Sequence, residues 1–377
     1  MQIPFHRPLI GTEEEEAVLR VLRSGWLTTG PETRAFEDEF ATYRNSPLAI
    51  GMSSCTAGLH LIFAALKLPM DAEVITTPLT FAATVHVLVH NGLQPVLADV
   101  LPETGCLDPA SVARCITPNT AAVLAVHYGG HLCAMPELQE ICQQHGLYLI
   151  EDCAHAIETT DATGRAAGTF GIASSFSFYP NKNMTSAEGG MVLTEDPVIA
   201  HLVQLMRSQG VQAATPVEGM VGFLPYDVRL PGFKMGMTDV QAALGRVQLC
   251  QVEGWWPHRE ALAKRYAEIL SRFGARLVGP IEGTRSAWHL AVAVLPEGTT
   301  REQTEALMQR IQQRGIGLSW HYRPIHRLRA YKHLAAPDEL PVCESLAARN
   351  FSLPLYPALS DAEMDCVCKV LEEELGV

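Results

Sequence analysis

With 377 residues, 47% hydrophobic and 18% charged, the chain holds enough apolar material for about two globular domains and is too apolar for a disordered one. A formal net charge of −13, with no Lys/Arg run, argues against a nucleic-acid-binding protein. No uncharged apolar stretch is long enough to span a bilayer, and Met1–Pro8 carries no apolar signal core, so no membrane contact is expected.

The ten cysteines are scattered without a CxxC pair, which predicts reduced thiols in a cytoplasmic protein. Cys366 and Cys368, the closest pair, would face different sides of a helix, so no metal site is expected.

In chain order, the acidic start of Thr12–Arg23 predicts a helix capped by Thr12, with Glu15 completing a capping box. The loop Ser24–Pro31 carries Trp26, Thr28 and Thr29, and an amphipathic helix follows over Pro31–Tyr43. Leu48–Met52 reads as a strand running straight into a helix over Ser53–Leu66. Small hydroxyl residues at such a start make an anion site, because free N–H groups and the helix dipole point the same way. Plain N-capping by Ser53 or Ser54 fits the same residues. Neither a GxGxxG nor a Walker loop occurs, so a phosphate bound here would belong to another kind of ligand.

From residue 73, strands over 73–77, 94–100, 120–127 and 147–152 alternate with helices over 81–91 and 135–145. That alternation predicts an α/β domain with a mostly parallel, doubly covered sheet, whose ligands sit at the carboxyl ends of the strands. Asp152, Phe81 and the segment around Ser53 fall at such ends. A strand over Ser175–Tyr179 stops at Pro180, Lys182 follows in a polar turn, and Gly189 and Gly190 lead into Met191–Leu193. Beyond it come a helix over 198–209, a Gly- and Pro-rich loop over 210–237 and a long helix from Met237 to Phe273. The expected large domain is 1–245 and the smaller α+β domain 246–377, with a strand at 287–295 and helices at 301–314 and 360–375.

Four features now ask for one explanation: a strand-end Asp152, a turn lysine at 182, an anion-type helix start and an aromatic at 81. A buried carboxylate needs a cationic partner, and a lysine with a lowered pKa attacks carbonyls. Pyridoxal phosphate meets all four demands, with its ring nitrogen, aldehyde, phosphate and ring face respectively.

The motifs Ile3-Pro-Phe-His-Arg-Pro8, Leu22–Pro31, Glu151-Asp-Cys-Ala-His-Ala156, Phe178–Gly190 and Ser352–Pro357 resemble those of the DegT/DnrJ/EryC1/StrS sugar aminotransferases nearly end to end. The resemblance implies the fold-type-I pyridoxal-phosphate fold, with a seven-stranded sheet between helices, and a homodimer with sites at the subunit interface. It makes Lys182 the Schiff-base lysine and proton shuttle, and Asp152 the partner of the pyridine nitrogen. His155 would lie near the phenolic oxygen, Ser177 with Thr56 and Ala57 would hold the phosphate, and Phe81 would stack on the ring. Relatives usually carry an Asn that reaches the partner subunit's phosphate. It would fall at Gly236 here, or in another version at Lys234. Gln209 stands where a His is common.

The implied reaction moves an amino group from glutamate or glutamine, through pyridoxamine phosphate, to a nucleotide-linked keto-deoxysugar. Trp26, Thr28, Thr29, Tyr322 and His326 are the expected substrate contacts, and Arg323 fits a diphosphate or a solvated charge. Competing readings are a cyclitol or other non-nucleotide ketone as acceptor, a sibling dehydratase, and a non-catalytic sensor. Lys182 speaks against the dehydratase, whose relatives replace it. The intact Lys182, Asp152 and Ser177 set speaks against the sensor.

Overall fold

The computed structural model describes residues 1–213 and 226–376. Helices α1 (Thr12–Ser24) and α2 (Pro31–Arg44) precede strand β1 (Leu48–Met52) and helix α3 (Cys55–Leu66). Then come β2 (Glu73–Thr76), α4 (Ala83–His90), β3 (Gln94–Leu97), α5 (Pro109–Cys115), β4 (Thr120–Val126), α6 (Met135–His145), β5 (Tyr148–Asp152), β6 (Ala173–Ser177), β7 (Gly190–Thr194) and α7 (Pro197–Arg207).

The first seven strands form one sheet in the order β1-β7-β6-β5-β4-β2-β3. Only β7 runs antiparallel, against both β1 and β6; every other pair is parallel. Alternate residues feed the two faces, as a pleated strand requires. Val74, Leu124, Ile150 and Val192 pack under α3, α4 and α7. Ile75, Val123, Ala125, Leu149, Met191 and Leu193 join Phe36 and Phe40 of α2 in the other core. A sheet buried on both faces explains why its strands read as continuous apolar runs.

Within the expected loop over 210–237, β8 (Val211–Ala213) pairs antiparallel with β9 (Tyr226–Val228), and residues 214–225 lie outside the described residues. A 33-residue helix, α8 (Asp239–Ser271), then crosses from α1 and α2 to a second, antiparallel sheet. That sheet is β10 (Arg276–Leu277), β11 (Ala291–Val294) and β12 (Asn350–Leu353), packed with α9 (Arg301–Gln313), α10 (Pro341–Arg349) and α11 (Asp361–Leu375). Strand β11 serves two cores by alternation: Val292 and Val294 join the core of the large sheet, while Ala291 and Ala293 pack with Tyr266, Ile311 and Phe351.

Two tertiary contacts reset local expectations. The cap of α1 is Gly11, not Thr12, so no full capping box forms; Glu14 rather than Glu15 reaches back, its Oε2 accepting the Gly11 N–H at 2.9 Å. Buried Glu14 also accepts from Gln248 Nε2 on α8 at 2.7 Å, so docking onto α8 selects the register. Asp239 caps α2 from a distance: its carboxylate accepts from the N–H groups of Gly30, Glu32 and Thr33 and from the Thr33 hydroxyl at 2.7–3.2 Å. All ten cysteines are free thiols. No helix among the described residues is long and apolar enough to cross a membrane.

Candidate active site

A cavity of about 510 Å³ opens at the carboxyl ends of β5 and β6. Its lining draws Ser54, Cys55 and Thr56 from the start of α3, and Thr80, Phe81 and Thr84 from the entry to α4. Asp152, His155, Ser177, Tyr179, Asn181 and Lys182 come from the turns beyond the sheet, and His321 and Tyr322 from the C-terminal part.

Asp152 is the last residue of β5, paired in register with Val126 and Ser175. Its side chain is buried and accepts from the Thr84 hydroxyl at 3.0 Å, the Ala154 N–H at 3.1 Å and the Cys55 thiol at 3.7 Å. Burial raises its pKa, against the pull of the Ala154 and Thr84 donors and of the Lys182 charge. Such a carboxylate, facing a cavity, suits a cationic N–H from a ligand.

Lys182 sits in the turn after β6, its backbone N–H bonded to the Tyr179 carbonyl at 2.9 Å. His6, from the N-terminal arm, holds the same turn through Nε2 and the Pro180 carbonyl at 2.8 Å. Burial lowers the Lys182 ammonium to about 8, with Cys55 and Asp152 pulling the other way. An amine tuned this way has a much larger free fraction near neutral pH than an ordinary lysine and is able to attack an aldehyde.

At α3, Ser54 is the cap and its Oγ accepts the Ala57 N–H at 3.0 Å. Ser54 and Thr56 face the cavity, whereas Ala57 does not line it. The capping and anion-site readings of this segment thus hold together: the cap uses one amide and the helix end still opens onto the cavity. Phe81 is 64% exposed and stands 6.3 Å, centroid to centroid, from Tyr322. Ser177, the last residue of β6, lines the same space.

His155 is buried, and its Nδ1 accepts the Gly129 N–H at 3.2 Å. That bond assigns the proton to Nε2, which donates to the Tyr322 hydroxyl at 3.1 Å. Burial, then the Lys182 charge, holds His155 well below the ordinary histidine range, so the ring is neutral.

Other expected site residues lie elsewhere in the single chain. His326 does not line the cavity; it is buried in a short turn and bonded to Glu344 at 2.5 Å, which corrects its assignment as a substrate contact. Arg323 and Lys234 do not line it either. Trp26, Thr28 and Thr29 form a loop against α8: Trp26 is 56% exposed, Asp239 N–H bonds to the Thr28 carbonyl, and the Thr29 hydroxyl donates to Met237 O at 2.5 Å. Gly236 pairs with Met52, and a Cβ there would lie 3.2 Å from Thr29 Oγ1.

Sequence reasoning missed Cys55 and Thr84 as donors to Asp152. The Thr80–Thr84 spacing, one helical turn apart, was the available signal. Among the described residues His127, Glu151 and Cys153 also cluster. Glu151 is spent, however, accepting from the N–H groups of Gly168, Phe170 and Gly171 at 2.7 Å and from His127 at 2.9 Å. That cluster is structural.

The DegT/DnrJ/EryC1/StrS aminotransferase family matches this sequence over residues 8–372. The chain belongs to that family. The spore coat polysaccharide biosynthesis protein SpsC of Bacillus subtilis is 37% identical over 379 residues, covering 98% of this chain and 96% of that protein. Spr1654 from Streptococcus pneumoniae in its PMP form superposes with a TM-score of 0.94 at 28% identity over 99% of both chains, and has a PLP form as well. Helicobacter pylori PseC, an aminotransferase of pseudoaminic acid biosynthesis, gives 0.90 at 26% identity over 100% of both.

The protein is thus an aminotransferase of a sugar-aminotransferase family, with pyridoxal phosphate as cofactor. The cavity fits that cofactor. Buried Asp152, the lowered amine of Lys182 and the open end of α3 meet its three reactive or charged parts, and exposed Phe81 offers a ring face.

Proposed function

We propose that this member of the family transfers the amino group of glutamate or glutamine to a nucleotide-linked keto-deoxysugar. The observation that supports the reading most is the joint presence in one cavity of Lys182, its amine lowered to about 8, and buried Asp152, a carboxylate left to pair with a cationic ligand group. Pyridoxal phosphate supplies an aldehyde and an electron-withdrawing ring when bound.

The chain's own residues do the rest. Lys182 Nζ would hold the cofactor aldehyde and, as a free amine, would carry a proton between carbon atoms as general acid and base. A pKa near the working pH suits both directions of that transfer. Asp152, held in place by Thr84 and the Ala154 amide, would pair with the cofactor's ring nitrogen and favour its protonated form. His155 donates outward through Nε2, with Tyr322 beside it. Ser177, Thr56 and the start of α3 would hold the phosphate.

We also propose a homodimer. Leu9, Ile10, Leu19, Leu22, Trp26 and Leu27 are 39–56% exposed along one short stretch of chain, more apolar surface than scattered residues account for. Trp26, Thr28, Thr29 and Gly236 then contribute across the subunit boundary, since none lines the cavity of its own chain. A panel of nucleotide keto sugars with glutamate and glutamine, read as product amine by mass spectrometry, tests the substrate. Turnover of a cyclitol or other plain ketone, with every nucleotide sugar inert, would overturn it. A fully active monomer by light scattering would overturn the dimer.

A further inference from the structure

We infer that Asn183 and His289 form a positioning unit that sets the plane of His155 and ties it to the turn bearing Lys182. Asn183 is 5% exposed, and its Nδ2 donates to Glu158 Oε1 and Oε2 at 3.0 and 2.8 Å and to the Ala287 carbonyl at 2.7 Å. With its donors committed, its Oδ1 faces His289 Nδ1 at 3.2 Å and accepts from it. That bond fixes both the amide orientation and the His289 tautomer.

The His289 ring lies on the His155 ring, with centroids 4.4 Å apart and planes 32° from parallel. His155 in turn is held edgewise by the Gly129 N–H and Tyr322. A continuous path therefore runs from Glu158 through Asn183, His289 and His155 to Tyr322. It joins the loops after β4 and β5, the lysine turn, the segment entering β11 and the C-terminal part.

Two imidazoles stack at this distance without repulsion while both are neutral, and burial keeps both below the ordinary range. Asn183 is the chain neighbour of Lys182, so one side chain restrains the nucleophile's turn and the stack behind the cofactor together. In such a site, displacements of an ångström lose large factors in rate. A ring stacked on one side and bonded at both nitrogens has little freedom to drift.

The inference rests on His155 lying against the cofactor, and its test uses no sugar, so it stands apart from the substrate assignment. His289→Ala and Asn183→Ala are prepared in the wild-type and His155→Ala backgrounds. Cofactor dissociation is measured by equilibrium dialysis, and the pH midpoint of the visible absorbance of lysine-bound cofactor by titration. In the wild-type background each substitution is expected to weaken cofactor binding about tenfold and to move that midpoint by at least half a pH unit. In the His155→Ala background neither is expected to add a further change.

His289→Phe, which keeps a ring but loses the N–H held by Asn183, is expected to shift the midpoint as Asn183→Ala does; wild-type behaviour of this variant would overturn the role of Asn183. Circular dichroism and the melting temperature of the cofactor-free proteins separate misfolding from repositioning. A midpoint that stays at the wild-type value in every folded variant would overturn the assignment, as would equal shifts with and without His155.

Discussion

Lys182 offers the sharpest test, because its tuning carries a cost as well as a benefit. An ordinary lysine near 10.4 is about 0.04% free amine at pH 7, whereas one at about 8 is about 9% free, a gain of roughly 200-fold in nucleophile. The pH dependence follows from the sign of the shift. A base whose folded pKa is lowered loses stability as pH falls from its unfolded value to its folded one. Lys182 therefore costs the cofactor-free fold its full penalty below about pH 8 and nothing above about 10.5.

The shift corresponds to about 3 kcal/mol, discounted to about 2 because the side chain is only partly buried. Lys182→Met, similar in length and uncharged, is thus expected to stabilise the cofactor-free protein by about 2 kcal/mol at pH 7 in urea unfolding, while abolishing cofactor capture. Wild-type capture, followed in the visible at pH 6–9.5, should rise about tenfold per unit and level off above about pH 8. A rate still climbing at pH 9.5, a borohydride-fixed adduct on another lysine, or a destabilised Lys182→Met protein would rule out a lowered Lys182 amine as the nucleophile.

Three further outcomes are expected. A Cβ on Gly58 would lie 2.2 Å from Ser175 Oγ and 2.9 Å from Val192 Cγ2, so Gly58→Ala should displace the start of α3 from the sheet. It should cost about 1–3 kcal/mol in chemical unfolding and weaken cofactor binding; unchanged binding would disconnect the helix start from the phosphate. Ala187, two residues before the Gly189–Gly190 pair, holds a φ of 66°, a left-handed conformation that penalises a Cβ. Ala187→Gly should add about 1 kcal/mol to stability by the same measurement. His131 and His321 are buried and neutral, each pushed down to about 3, so stability is lost as pH falls below their unfolded value near 6.5. Between pH 7.5 and 5.5 the two should together remove about 3 kcal/mol from the cofactor-free protein, measured as a falling urea midpoint.

The sheet was legible in the chain alone, and so were Asp152 and Lys182 as candidates, which the fold brings to one cavity. Apolar runs broken by helical periods place the strands whatever the rest of the chain does, because a doubly covered strand needs apolar side chains on both faces. Asp152 was legible for the same reason: a carboxylate ending such a run has nowhere to go but a strand-end cavity. Lys182 became legible through its strand–Pro–turn setting and the motif around it. What the sequence could not settle were contacts between residues far apart in the chain. Docking on Gln248 moved the cap of α1 to Gly11, and Asp239 reaches back to cap α2. Cys55 and Thr84 meet at Asp152 only because α3 and α4 converge on the end of β5. His326 carried the same residue type and motif as a ligand contact, yet Glu344 claims it in the fold. The stack of His289 on His155, through Asn183, exists only once the segment entering β11 lies beside the lysine turn. Hydrophobic periodicity is local and survives in a linear chain. Hydrogen-bond partnership is set by which ends the packing of helices and sheets brings together.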